Sequence, residues 1–314
     1  MGRPSAGRRA MAKSISPQMR KRRFHDNLVL SSCLAPSIAV IIVFTYFAFL
    51  FCVYLSFHDW NMLSPWKFTG LGNYIEAFTS DEFWNSLNVT FIYVAVSVPV
   101  CIVLGLLAGL LLDWIDFAQG FFRLMIFLPV IVSMVIAATI WRLLFTPEVG
   151  QINQILYSIG VKPSHWTMWI KDPAGGALAA VLIVGIWKRI GYNGVLFLAG
   201  LKNISTTYYE AATIDGANPW QRFIRITLPL LSPTTFIVVV LQVIASFKVV
   251  ESVLIMTRGG PAKSTNVLVL YLYDNAFSYL RMGYASTISV ILFFIIMIFT
   301  ILQLVLEKKL VHYQ

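Results

Sequence analysis

Residues 204–233 read ISTTYYEAATIDGANPWQRFIRITLPLLSP. Thr207 and Glu210 have the T-x-x-E spacing of a capping box, so a helix is expected to start there. Gly216 can take the left-handed conformation that closes a helix. Asn218 followed by Pro219 is a helix-capping residue with proline at the first helical position, so a second helix is expected at once. The stretch therefore predicts two short helices at an angle, joined at Asp215 and Gly216. Pro229 and Pro233 punctuate the entry into the next apolar run. An ordinary helical-hairpin loop would obey the same capping rules, so its meaning depends on the flanking sequence.

Both flanks are apolar. Of 314 residues, 58% are hydrophobic and only 12% are charged, where a soluble domain carries roughly a quarter charged residues. A membrane helix needs ~20 largely apolar residues. Six stretches qualify, about 29–57, 86–112, 121–145, 175–200, 233–256 and 284–306. The fourth is the weakest, because Lys188 and Arg189 interrupt it. The second and third are joined by a short turn around Asp113, Asp116 and Gly120. The expected fold is all-α, a six-helix transmembrane domain over 29–306 with the 201–232 loop between its fourth and fifth spans.

The net charge is +10, with its densest cluster at one end. Arg3, Arg8, Arg9, Lys13, Arg20, Lys21, Arg22 and Arg23 face no acid within residues 1–23. Because an apolar run begins at Leu28, residues 1–28 read as a basic cytoplasmic leader that meets anionic lipid, and not as a nucleic-acid arm. That run is too long for a signal-peptide core and lacks a small-residue cleavage site, so it reads as a retained anchor. Arg123, Lys202, Arg222, Arg225, Lys308 and Lys309 then join the leader on the cytoplasmic side. Lys67, Lys162, Lys171, Arg258, Lys263 and Arg281 fall outside. The asymmetry puts the N-terminus inside, and an even number of spans puts the 307–314 tail inside too. Trp60, Trp66, Trp84, Trp166 and Trp169 would form an outer aromatic belt. Cys33, Cys52 and Cys101 lie in apolar runs and read as buried thiols. His25, His58, His165 and His312 show no metal spacing.

Between membrane spans, the loop gains a second meaning. Glu210, Ala211 and Ala212, then Asp215, Gly216 and Ala217, then Ile226, Leu228 and Pro229 resemble the EAA loop of ABC importer permeases, with every expected position filled. The stretch GLGNYIEAF at 70–78 with Phe83 and Trp84 is similar to the outer segment of the sugar-type permeases. Trp141 with Phe145, Thr146 and Pro147, and Gly150 to Asn153, resemble the end of their third core helix. Thr257 with Gly259, Gly260 and Pro261 resembles the signature after their fifth. The subgroup resembled holds the maltose-type and glycerol-phosphate-type permeases, and the fold implied is that of type I ABC importers.

The resemblance implies a transporter subunit and not an enzyme, in a bacterial cytoplasmic membrane. A second homologous permease would complete a heterodimer. Two ABC ATPase subunits, which would bind ATP and Mg, would drive it, and an extracytoplasmic solute-binding protein would deliver the solute. No cofactor is implied for this chain, and it has no G-x-x-x-x-G-K-[ST] loop to cradle a nucleotide. Glu210, Ala211, Ala212, Asp215, Gly216, Ala217 and Pro219 would form the coupling surface, the small residues permitting close approach and Gly216 acting as a hinge. Glu210 could instead only cap its helix.

Ionisable residues at membrane depth usually line a cavity or pair with each other. Lys188 and Arg189 lie roughly 20 Å along their helix from Gly200. Tyr192 and Asn193 follow one turn later. Lys248 and Glu251 stand three apart inside the fifth span and would share one helical face. By resemblance, Arg189 and Tyr192 match sugar-contacting positions, and the stretch around Phe247 and Glu251 matches a second such region. The alternatives stay open: Lys188 and Arg189 could snorkel to the cytoplasm, Lys248 and Glu251 could neutralise each other, and Phe247 could be helix packing. If all three cations face the pathway, one Glu cannot balance them, and an acidic saccharide such as a uronate oligomer is expected. The family alone favours a neutral sugar, a polyol or glycerol phosphate. An ion-coupled secondary transporter should show internal repeats, and an intramembrane enzyme a metal or nucleophile constellation. Neither pattern is present.

Overall fold

The computed structural model describes residues 32–115, 117–147, 150–160 and 168–310, with side chains to residue 307. The basic 1–28 segment, Asp116, Lys162, His165, Trp166, the side chains of Lys308 and Lys309, and His312 lie outside the described residues. The chain forms two compact units, residues 1–54 and 55–314. In the first, helix α1 (Ser32–Leu55) is long and apolar enough to cross a bilayer. It carries a π turn over Ile42–Phe47, and Phe51 stacks on both Phe47 and Tyr54.

The second unit begins with a short antiparallel ladder, β1 (His58–Asp59) on β2 (Lys67–Phe68), a small departure from an all-helical fold. Helix α2 (Gly72–Thr79) comes next. The Asn73 amide donates to the carbonyls of Ser56 and His58, both at 3.0 Å. The Tyr74 and Ser56 hydroxyls meet at 2.8 Å. The GLGNYIEAF stretch is thus a bracket that fixes the chain just before β1.

Helix α3 (Asp81–Trp114) spans 34 residues, ~51 Å at 1.5 Å per residue. The Ser80 hydroxyl accepts from the Phe83 amide at 3.3 Å, and Asp81 and Glu82 in the first turn suit the helix dipole. Its main partner is helix α7 (Gly176–Lys202). Small residues make that contact possible. A Cβ on Gly105 would stand 2.5 Å from the Asn193 Cβ, and one on Gly109 2.8 Å from the Phe197 Cβ.

Between them the third span is broken. Helix α4 (Gln119–Ile131) and helix α5 (Met134–Leu144) meet at 91°. The run expected as a span over 121–145 thus holds two helices and not one continuous helix. Pro129 removes one backbone donor in the last turn of α4, and Val132 and Ser133 are extended. Helix α6 (Gln151–Ser158) lies beyond the break. The Trp169 indole donates to Asn153 at 3.0 Å, and Asn153 donates to the Pro147 carbonyl at 3.0 Å. Phe145 packs between Trp141 and Trp169, so Trp141, Phe145, Asn153 and Trp169 form one cluster.

After α7, helix α8 (Thr206–Ile214) and helix α9 (Pro219–Arg222) form the 203–231 loop. The chain stays helical through Phe223–Thr227 and Leu228–Leu230. Helix α10 (Ser232–Phe247) and helix α11 (Glu251–Met256) make the fifth span, helix α12 (Leu268–Tyr273) returns, and helix α13 (Met282–Leu310) is the last. By length and composition, five helices among the described residues can cross a membrane, or there are six spans if α4 and α5 count as one.

Ion pairs show which loops share an end. Glu82 meets Lys263 at 2.6 Å and Glu76 meets Arg281 at 2.6 Å, so α2, the start of α3 and the chain around 258–281 lie together. The Glu82 carboxylate holds the Lys263 ammonium above the usual lysine pKa. Lys202 meets Asp113 at 2.8 Å, so the end of α3 and the 203–231 loop lie at the opposite end.

Candidate functional site

A cavity of about 510 Å³ opens between α7, α10 and the two helix breaks, within the size range of small-molecule sites. Val130 and Met134 flank the break in the third span, and Lys248, Val249 and Val250 are the break in the fifth. Irregular backbone is tolerated at membrane depth where it lines a cavity. Lys188, Arg189, Tyr192, Lys248 and Glu251 all line this one.

The structure separates the seven residues singled out for the pathway. Asn193 and Phe247 are outside the cavity lining. Asn193 is buried against α3, where its amide donates to the Cys101 carbonyl at 3.3 Å. Phe247 packs edge-on to Phe91 at 5.7 Å and against Phe299 at 5.3 Å, so it is helix packing. Successive helical residues point about 100° apart, since a turn holds 3.6 of them. That is why Tyr192 reaches the cavity and Asn193 does not.

Lys248 and Glu251 do not share a helical face. Phe247 ends α10, Lys248 caps it with φ −96°, Val250 has φ −150°, and Glu251 starts α11. The two side chains form no ion pair among the described residues, so they do not simply neutralise each other. Lys188 does not snorkel to a membrane face. Its ammonium donates to the carbonyls of Pro129 at 3.3 Å and Val130 at 3.4 Å, and to that of Val132.

Sequence reasoning missed the hydroxyl-bearing residues of the lining other than Tyr192. Tyr93, Ser246 and Ser252 come from α3, α10 and α11, and no periodic signal marks them in apolar helices. Ser246 is bonded to Ser97 at 3.0 Å and accepts from Gln242 at 3.3 Å. The Ser252 hydroxyl has no hydrogen-bond partner and the residue is 0% exposed. An unmet buried hydroxyl costs ~1–3 kcal/mol, and this one lies just behind the cavity surface.

The 203–231 loop forms the second constellation. Ser205, and not Thr207, caps α8, its hydroxyl accepting from the Thr207 amide at 3.4 Å. The Thr207–Glu210 capping box is therefore corrected: both residues lie inside the helix, and Glu210 is exposed. Its carboxylate does not cap. Gly216 is left-handed at φ +78°. The Ala217 amide donates to Ala212 at 2.8 Å and the Gly216 amide to Thr213 at 3.1 Å, a Schellman closure. A capping box does exist, one helix later. The Asn218 side chain accepts from the Gln221 amide at 2.8 Å, and the Gln221 side chain accepts from the Asn218 amide at 2.9 Å. Pro219 holds the first helical position.

Two side-chain bonds brace the pair of helices. Arg222 donates to the Thr213 hydroxyl at 3.0 Å, and the Tyr209 and Thr227 hydroxyls meet at 2.9 Å. The loop presents Ala211 and Asp215 exposed, with Ala212 and Ala217 half-buried. Ile214 is 86% and Trp220 67% exposed. Neither was singled out in the sequence, where single apolar residues carry no sign of exposure.

The family model described as "Binding-protein-dependent transport system inner membrane component" matches residues 69–312. The sn-glycerol-3-phosphate transport system permease protein UgpA of Agrobacterium fabrum is 36% identical over 251 residues, 79% of this chain and 83% of that protein. The trehalose/maltose transport system permease protein MalF of Thermococcus litoralis is 34% identical over 273 residues, 86% of this chain and 90% of that protein. A chain in the crystal structure of a bacterial alginate ABC transporter, in complex with an alginate pentasaccharide-bound periplasmic protein, superposes with a TM-score of 0.79. It is 20% identical, and the match covers 92% of this chain and 96% of that one.

Proposed function

The chain belongs to the inner membrane components of binding-protein-dependent transport systems, as a permease subunit of an ABC sugar importer of the maltose and glycerol-phosphate type and not an enzyme, and from that premise we propose that it carries an acidic, uronate-type oligosaccharide inward. The observation that carries this reading is the charge of the cavity. Lys188, Arg189 and Lys248 line it against the single carboxylate of Glu251. The cations outnumber the carboxylate, and a polyanionic guest supplies the missing counter-charge. The fold shared with an alginate transporter supports the reading as fold alone.

In the proposed arrangement a second, homologous permease completes a heterodimer around the pathway. Two ATPase subunits, which hold ATP and Mg, dock on the 201–232 loop, and an extracytoplasmic binding protein delivers the solute. Glu210, Ala211, Ala212, Asp215, Gly216, Ala217 and Pro219 form the docking surface, to which the exposed Ile214 and Trp220 add apolar contact. The braced pair α8–α9 then moves as one lever when the ATPases close. The 1–28 leader, this loop and the 307–314 tail all lie in the cytoplasm, in accord with the Lys and Arg bias of the loops.

A second reading has its own observation. The exposed Tyr192 side chain lines the cavity, and its ring and hydroxyl suit a neutral sugar, a polyol or glycerol phosphate. ATPase activity of the purified complex, with its binding protein loaded in turn by uronate and neutral oligosaccharides, separates the two. Stimulation by the uronate alone is expected. Stimulation by neutral sugar alone would replace the acidic reading, and uptake driven by an ion gradient without an ATPase would remove both.

A further inference from the structure

A lysine ammonium has three N–H donors and no acceptor. In Lys188 all three are directed at main-chain oxygens, those of Pro129, Val130 and Val132. These carbonyls belong to the last turn of α4 and the extended residue after it. Because the helix stops at Ile131, no amide one turn further on can bond them, and lipid offers no donor either. The negative end of a helix dipole also favours a cation at this place.

The side of α7 that does this has a second mark. Gly191 stands three residues after Lys188, on the same helical face. A Cβ there would come within 2.1 Å of the Ile126 carbonyl oxygen. The Lys188–Gly191 face is therefore the seat on which α4 rests. Arg189 and Tyr192, again three apart, form the next face, and both line the cavity. Val130 and Met134, on either side of the break, line it too, so any shift of the break alters the cavity wall.

We propose that Lys188 is a positioning residue: its ammonium, spent on three backbone carbonyls, holds the break of the third span against α7, and Arg189 and Lys248 are the cations left to meet the solute. This rests on the reading of the cavity as the solute pathway. It divides three cations that look alike in the sequence into one structural clamp and two solute-facing charges.

The test uses the assembled complex in nanodiscs, with Lys188→Met, Lys188→Arg, Arg189→Gln and Lys248→Gln in this chain. Hydrogen exchange is followed at Leu128, Val130 and Ile131, the last turn of α4. The maximal rate and half-saturation of binding-protein-stimulated ATPase are followed with uronate and neutral oligosaccharides. Lys188→Met is expected to speed exchange at that turn about tenfold and to lower the maximal rate several-fold, with the preference between solutes unchanged. Lys188→Arg, whose guanidinium still donates, restores both. Arg189→Gln and Lys248→Gln leave the exchange alone and reduce the preference. If Lys188→Met shifts the half-saturation or the preference while exchange and maximal rate stay at wild type, the proposal is overturned. Where Lys188→Met fails to assemble, Lys188→Gln is read by the same two outcomes. If the wild type itself prefers no acidic solute, the acidic reading falls, and the exchange comparison still decides the role of Lys188.

Discussion

Ser252 in the cavity wall and Gly216 in the 203–231 loop show what single residues contribute. The Ser252 hydroxyl is buried without a hydrogen-bond partner in the cavity wall. If the wall opens during transport and a solute hydroxyl or carboxylate completes it, Ser252→Ala should raise half-saturation about five- to tenfold, the equivalent of one hydrogen bond of ~1 kcal/mol. An unchanged value would mean the hydroxyl has no part in binding. At Gly216 the left-handed backbone, φ +78°, lets α8 turn into α9. A side chain there costs ~1–2 kcal/mol. Gly216→Ala is expected to weaken the stimulation of ATPase by the loaded binding protein while leaving assembly intact, and full stimulation would remove Gly216 from the coupling surface. Lysine and arginine at membrane depth were legible in the sequence as something unusual. Their separate roles were not, because adjacent residues on a helix face different neighbours.

At the scale of elements, glycine spacing decides how closely helices approach. Gly105 and Gly109 on α3 admit Asn193 and Phe197 of α7, and Gly191 on α7 admits the α4 backbone. Gly191→Ala should destabilise the complex by ~1–3 kcal/mol through overpacking, visible as a lower thermal midpoint. Gly120→Ala is the control, because nothing stands within 4 Å of its Cβ position, and it should be neutral. Equal effects of the two would show that the α4–α7 contact does not depend on that approach. The six apolar runs were readable in the sequence as elements. The breaks at Val132–Ser133 and Lys248–Val250 were not, since a proline or a charge inside an apolar run does not by itself break a helix: Pro99 lies within the continuous α3, and Lys188 and Arg189 within the continuous α7.

At the scale of the whole molecule, the chain lines one cavity and presents one exposed two-helix loop, and in the proposed assembly both meet partners. Native mass spectrometry of the complex is expected to find one copy of this chain, one copy of a homologous permease and two ATPases. Two copies of this chain in place of the heterodimer would double the cationic lining and change the solute argument. Ile214 and Trp220, exposed beside the small residues of the loop, would in either assembly be covered by an ATPase. The family was legible across almost the full length, because its signatures are loop-building residues: Asn73, Asn153, Gly216 and Pro219 each hold a turn that composition alone would not explain.

The amino-acid sequence by itself determined that this protein lives in a bilayer, that its spans number about six, and that a loop of two short helices interrupts them before the fifth. Those properties are local: an apolar run, a helix cap and a left-handed glycine each declare themselves within a few residues. The tertiary structure decided what the polar residues inside the spans do. Lys188 meets carbonyls 56 to 59 positions away, and Tyr93, Arg189, Lys248 and Ser252 come together only because two spans are broken where α7 passes. No local pattern records such meetings, because the partner of a buried charge is chosen by packing and not by its neighbours in the chain.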